Sequence, residues 1–137
     1  MERARRFVLI LLTAALSCCA GQAPNSALAD ALLGKWGSVR TTDCCARYEQ
    51  SIEFGADGSF HAAGMFRDAS GSTPYSYDGQ WKVEAGYLSF NVKSGGLARP
   101  DFPRGEYRER ILSLTELELV TAHPGTGEEY RAWKYPK

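Results

Sequence analysis

Between Tyr75 and Val92 the chain alternates apolar and polar positions twice. Tyr75, Tyr77, Gly79, Trp81 and Val83 interleave with Ser76, Asp78, Gln80 and Lys82. After the break Glu84-Ala85-Gly86, Leu88, Phe90 and Val92 interleave with Ser89, Asn91 and Lys93. Period two with one apolar face predicts half-buried antiparallel strands, and the short glycine-containing break predicts a hairpin turn. The same pattern recurs along the chain. It predicts strands over 35–41, 48–54, 59–66, 75–83, 87–93, 106–113, 117–121 and 128–135. In the sixth, Tyr107, Glu109 and Ile111 compete with Leu112 and Leu114 for the interior, which predicts a bulge. Before the strands, Ser26 is placed to N-cap a short helix, Ala27 to Leu33, that Gly34 ends.

Loop lengths sort the two ends of such a meander. The connections 55–58, 84–86 and 114–116 are tight, whereas 42–47, 67–74, 94–105 and 122–127 are long. Tight turns therefore gather at one end and long loops at the other, where binding is usually placed. Eight short strands need their edges closed, so the expected fold is all-β: an eight-stranded antiparallel up-and-down barrel with a short N-terminal helix beside its closed end. A barrel of that size is either filled by side chains or holds one small ligand. Tyr48, Phe60, Tyr75, Tyr77 and Trp81 are the inward aromatics and the candidate ligand-binding residues. Arg40, if it points inward near the mouth, could pair with an acidic head group. The loop SGGLARPDFPRG, 94–105, presents Phe102 between two prolines, and the expectation is an exposed apolar tip acting as a lid or an anchor. On that reading Phe102→Ala weakens binding and barely changes stability.

The N-terminus changes the picture of where this happens. Arg3, Arg5 and Arg6 precede an apolar run, Phe7 to Leu16, that is too short to span a bilayer and suits a signal peptide. It ends in Leu16-Ser17-Cys18-Cys19-Ala20, which resembles a bacterial lipobox. Cys18 is the expected acylated residue, with Cys19 as the alternative and plain secretion with a cut after Ala20 as a third reading. The chain then divides into a lipoprotein signal peptide (1–17), a lipidated tether with the helix (18–33) and one barrel domain (34–137). No acidic residue directly follows either cysteine, so the expected address is the outer membrane of a bacterial envelope, on the periplasmic face. The whole chain has 16 basic and 16 acidic side chains; losing three Arg and one Glu leaves 13 against 15, a net charge of −2. With no basic stripe, nucleic acid is not an expected partner. A monomer is expected.

Candidate chemistry is sparse. His61 falls on an outward face and His123 in a Pro-Gly turn, and both read as solvated. There is no Gly-x-Ser-x-Gly, phosphate loop or His-Glu-x-x-His. Asp43-Cys44-Cys45 lacks the spacing by which cysteines share a zinc, so neither a metal nor a cofactor is expected. Cys44 and Cys45 could form a strained disulfide with each other, bridge to Cys19 or stay reduced.

Several short stretches together resemble the bacterial lipocalin-like small lipoproteins. Gly34-Lys35-Trp36 is similar to the Gly-x-Trp that opens their barrel. Phe54-Gly55-Ala56-Asp57-Gly58-Ser59-Phe60, Tyr77-x-Gly79-x-Trp81-x-Val83-x-x-Gly86-x-Leu88 and Ile111-x-x-Leu114-Thr115-x-Leu117-x-Leu119 resemble the successive hairpins, and Tyr130-Arg131 the last strand. The resemblance implies a structural contact in which Arg131 packs over the Trp36 indole. The function it supports is non-catalytic: an envelope lipoprotein binding a small apolar or amphipathic ligand at its open end. The alternative is a module that binds an envelope protein, such as a cell-wall-active enzyme, through the mouth loops.

Overall fold

A computed structural model describes residues 25–42, 44–99 and 102–137. The expected signal peptide and both candidate acylation sites, Cys18 and Cys19, lie outside the described residues. One helix, α1 (Asn25–Leu32), leads into eight strands: β1 (Gly34–Thr41), β2 (Arg47–Phe54), β3 (Ser59–Asp68), β4 (Gly71–Glu84), β5 (Tyr87–Gly95), β6 (Gly105–Leu114), β7 (Glu118–Ala122) and β8 (Glu129–Lys134). Each pairs antiparallel with the next, and β8 returns to β1, so the sheet closes into an up-and-down barrel.

The alternation read from the sequence is the alternation of burial. Tyr75, Tyr77 and Trp81 on β4 and Leu88 and Phe90 on β5 are buried, with exposed or half-buried residues between them. The β4–β5 turn places Ala85 (φ 51) and Gly86 (φ 80) both in the left-handed region. That is the backbone of a two-residue hairpin whose twist matches its strands. The predicted bulge in β6 is present, as a register shift between Ile111 and Ser113.

One long loop was not found. Residues 67–74, expected to be a mouth loop, instead extend β3 and β4 into a hairpin in which Asp68 pairs with Gly71. The Asp68 carboxylate accepts hydrogen bonds from the Ser70 N–H (2.9 Å) and hydroxyl (2.6 Å), and this local turn replaces a loop. Pro74, the last residue of that expected loop, is tolerated opposite Met65 because β5 pairs with β4 no further than Tyr77. Beyond that point the missing N–H faces an unpaired edge.

The closed end is organised by Trp36. Its side chain is fully buried, and its Nε1–H donates to the Leu32 carbonyl at 2.8 Å, which ties α1 across the base. The cation over its ring is not Arg131. Lys134 Nζ lies 5.2 Å from the ring centroid and also donates to the Ala31 carbonyl at 3.1 Å. Strand parity explains the correction: Tyr130, Ala132 and Lys134 share one face of β8, whereas Arg131 lies on the exposed face and pairs with Glu118 at 3.3 Å. Trp36→Ala should therefore cost about 3–5 kcal/mol in denaturant unfolding, as a large-to-small change in a core. Lys134→Ala should cost more than Arg131→Ala, whose exposed ion pair contributes at most about 1 kcal/mol.

Candidate functional site

Five of the six residues expected to bind a ligand, Tyr48, Phe60, Tyr75, Tyr77 and Phe102, converge, but they pack against one another. Tyr48, Phe60, Tyr75, Tyr77 and Trp81 are each less than 10% exposed. Tyr48 lies 4.8 Å from Phe66 between ring centroids, Phe60 5.7 Å from Tyr77, and Phe54 4.9 Å from Trp81. Such spacings are those of packed aromatic pairs. Trp81 belongs to the base rather than the mouth, donating from Nε1 to the Gly55 carbonyl at 3.0 Å.

Phe102 departs most from expectation. It is not an exposed tip; only 6% of its surface is accessible. The loop after β5 folds inward and seats its ring among three tyrosines, with centroids 5.1 Å from Tyr77, 5.2 Å from Tyr75 and 6.5 Å from Tyr48. Gly96, with φ 102, permits this, since a Cβ there would lie 2.8 Å from the Phe102 ring. The Arg99 guanidinium covers Phe66 at 4.2 Å, and its Nε–H donates to the Tyr48 hydroxyl at 3.1 Å. The mouth is thus stoppered by an aromatic plug from its own longest loop.

Beneath the plug the phenols are gathered by one amide. Tyr75 and Tyr77 both donate to Gln50 Oε1, at 3.0 and 3.1 Å. Tyr107 is hydrogen-bonded to Tyr77 and stacks on Phe90 at 4.8 Å. Burial pushes the Tyr77 hydroxyl up to about 12 and raises Tyr75 and Tyr107 as well, so all three are neutral hydrogen-bonding groups.

The opposite wall is polar, and sequence reasoning did not bring it together. Arg40 on β1 has a half-buried side chain whose Nε is buried and has no hydrogen-bond partner among the described residues. Its guanidinium lies 5.2 Å from the Tyr130 ring, and its contact with Glu128 is long, at 3.8 Å. Facing it, Glu109 on β6 accepts a 2.8 Å hydrogen bond from the Thr121 hydroxyl. Burial raises the pKa of Glu109, against the Thr121 hydrogen bond and the positive charge of Arg40. The signal was in the alternation, since Tyr107, Glu109 and Ile111 share a face as Tyr48, Gln50 and Ile52 do. A carboxylate and an amide on apolar faces are the marks of a polar interior.

The remaining candidates are peripheral. Cys44 and Cys45 are exposed and unbridged among the described residues, beside the mouth, with Cys45 at φ 88; Cys19, the other partner considered, lies outside the described residues. Among the described residues no three His, Cys, Asp or Glu side chains gather into a metal-binding group. His61 is exposed as expected but pairs with Asp78 across β3 and β4 at 2.6 Å. His123 is part of its own turn, accepting on Nδ1 from the N–H groups of Gly125 and Thr126. A large concavity of about 720 Å³ lies outside the barrel, over β4–β6, between Gln80, Lys82, Asn91 and Arg108.

The raised pKa of Glu109 has a definite sign. The folded carboxyl holds its proton more tightly than the unfolded one, so stability falls as pH rises from the usual glutamate value, 4.5, through the folded value. The loss is about 1.4 kcal/mol for each unit of upward shift. Glu109→Gln should leave stability unchanged near pH 4 and remove that fall, which unfolding curves at pH 4 to 8 will show.

By sequence, no family model and no curated protein matches the chain. By structure it is similar to a lipocalin-like protein from Bacteroides uniformis, with a TM-score of 0.54 and 16% identity over 77% of this chain and 99% of that one. It is also similar to an uncharacterized protein from Bacteroides eggerthii, with a TM-score of 0.50 and 18% identity over 76% of this chain and 99% of that one. With its closed antiparallel barrel, plugged mouth and Trp36-sealed base, this chain has a lipocalin-like fold.

Proposed function

We propose that the chain is a non-catalytic envelope lipoprotein whose barrel binds a small apolar or amphipathic molecule in the place Phe102 holds here. One observation carries the reading: the Phe102 ring sits in a socket of Tyr48, Tyr75 and Tyr77 at the end of a loop that starts and stops at glycines in the left-handed region. A loop hinged at Gly95, Gly96 and Gly105 can swing as a unit, and the socket it leaves is apolar on its walls and polar at its floor, where Gln50 collects two phenols. Such a site suits a flat apolar body with one hydrogen-bonding group. The unpaired Nε of Arg40 adds a donor for an acidic head group. The N-terminal lipobox supports the anchor, which two or three acyl chains would make stable at about 0.8 kcal/mol per buried methylene.

The seated plug reverses the expectation for Phe102→Ala. Its ring competes with any ligand for the socket, so its removal should strengthen binding of a small aromatic probe such as 1-aminoanthracene, followed by probe fluorescence. It should also lower stability by about 3 kcal/mol, because the ring is core. A variant that folds yet binds no more probe than wild type would count against the socket and favour a protein partner at the mouth loops. The anchor is tested separately, by mass spectrometry of the mature N-terminus from a bacterial envelope. Acylated Cys18 or Cys19 is the expected result; an unmodified Gly21 would remove the lipoprotein reading.

A further inference from the structure

One polar atom inside the barrel is left over. Arg40 Nε is buried and makes no hydrogen bond among the described residues, whereas the rest of the guanidinium reaches Glu128 and the Tyr130 ring. Buried donors without a partner are rare in folded chains, because nothing replaces the water they give up. A second unused donor lies beside it. Gln50 Oε1 accepts from the Tyr75 and Tyr77 hydroxyls, and Gln50 Nε2 donates to no group among the described residues.

Register brings these two donors to the socket that Phe102 fills. Arg40 stands opposite Tyr48, and Ser38 opposite Gln50, across β1 and β2. Arg40 and Gln50 are therefore diagonal neighbours on the inner face, within reach of each other as long side chains are. Tyr48, one wall of the socket, is next to both. Head-group donors and ring site are contiguous.

We infer that the ligand of this socket is a small aryl monocarboxylic acid, its ring in the place of the Phe102 ring and its carboxylate on Arg40 Nε and Gln50 Nε2. The inference rests on the socket reading above and adds the chemistry of the head and the size of the body. Two donors on one side suit a group with two acceptor oxygens, and a guanidinium N–H bonds a carboxylate more strongly than a neutral oxygen. Charge argues against a dianion. Among the described strand residues Arg40 is the inner-face cation near the mouth; Lys134 is at the base, and Arg99 sits on the loop that leaves. Glu109 adds a carboxyl to the facing wall. A phosphate monoester would bring about two negative charges to that one guanidinium. Room argues against a long chain. Below the socket Phe60, Phe90, Phe54 and Trp81 follow ring on ring, with successive centroids 5.4, 6.0 and 4.9 Å apart, and Trp36, Leu32 and Leu88 are fully buried. A fatty acyl tail has nowhere to lie. A short ring system has the space of Phe102 and of Leu97, which the same loop packs against the core.

Calorimetric titration of the full chain, and of Phe102→Ala, in which the socket is vacant, tests this with naphthoate, naphthamide, naphthyl phosphate and laurate. Naphthoate should bind about tenfold tighter than naphthamide, as a hydrogen bond to a charged group does over a neutral one. Naphthyl phosphate and laurate should both bind more weakly than naphthoate. The preference for naphthoate over naphthamide should disappear in Arg40→Met. It should disappear also in Gln50→Glu, which keeps an acceptor for both phenols but replaces the amide donor with a charge. Unfolding curves establish that each variant folds, and the ligand series on the unaltered chain decides the class by itself. Equal affinity for naphthoate and naphthamide overturns the carboxylate assignment and leaves the socket standing. Tighter binding of naphthyl phosphate or laurate overturns it too, and so does a naphthoate preference that survives in both folded variants. If no probe binds Phe102→Ala, 1-aminoanthracene included, the socket reading itself fails and this inference falls with it.

Discussion

Everything in this barrel depends on a short seam. β1 meets β8 through only three residue pairs, Trp36 with Lys134, Gly37 with Trp133 and Ser38 with Ala132. A seam that short does not hold by its ladder alone, and side chains on both sides of the sheet reinforce it. Inside, the Trp36 indole binds Leu32 and lies beneath Lys134. Outside, the Tyr135 ring fills the space over Gly37, and its N–H donates to the Lys35 carbonyl at 2.9 Å. Without closure two strands would present open edges, and the buried aromatics of β2–β5 would lose the wall opposite them.

The interior that closure creates is divided. Its β2–β5 side is nearly continuous aromatic packing, and its β1 and β6–β8 side mixes Trp36, Tyr107 and Tyr130 with the polar groups of Arg40, Glu109 and Thr121. Phe102 belongs to the first side although it comes from a loop. A flexible segment that donates a core ring gains the burial energy of that ring and gives up the freedom of its hinge glycines. The balance is closer than for a ring fixed on a strand, so this piece of the core is the one best able to leave. Opening the mouth and exposing the tyrosine socket are then one event.

The strands were legible because alternation is a local property. Tyr75 to Val83 announces its inner face without reference to any neighbour, and so do Tyr48 to Phe54 and the β6 bulge. What was not legible depended on something distant. Pro74 read as loop because nothing in its own stretch says that β5 stops short of it. Phe102 read as exposed because prolines and glycines describe a loop's stiffness and hinges, not the tyrosines it folds onto. Arg131 was placed over Trp36 by resemblance, although its own parity with Tyr130 and Ala132 already put it outside. Glu109 was visible on an inner face and Arg40 conditionally so, but that they share one interior, near enough for Arg40 to act on the Glu109 carboxyl, required closure.

That shared interior is what the fold itself does not explain. A barrel of this size can be filled with aliphatic and aromatic groups, and a desolvated carboxyl sharing the interior with a guanidinium whose Nε is buried without a hydrogen bond is the costlier choice. Trp36 and Leu88 show the alternative, fully buried and apolar, at the same barrel's other end. Stability therefore accounts for the base and not for the polar wall near the mouth. The asymmetry separates two roles within one interior. The base is packed to hold the seam closed, and the mouth keeps hydrogen-bonding capacity that the folded chain leaves partly unused.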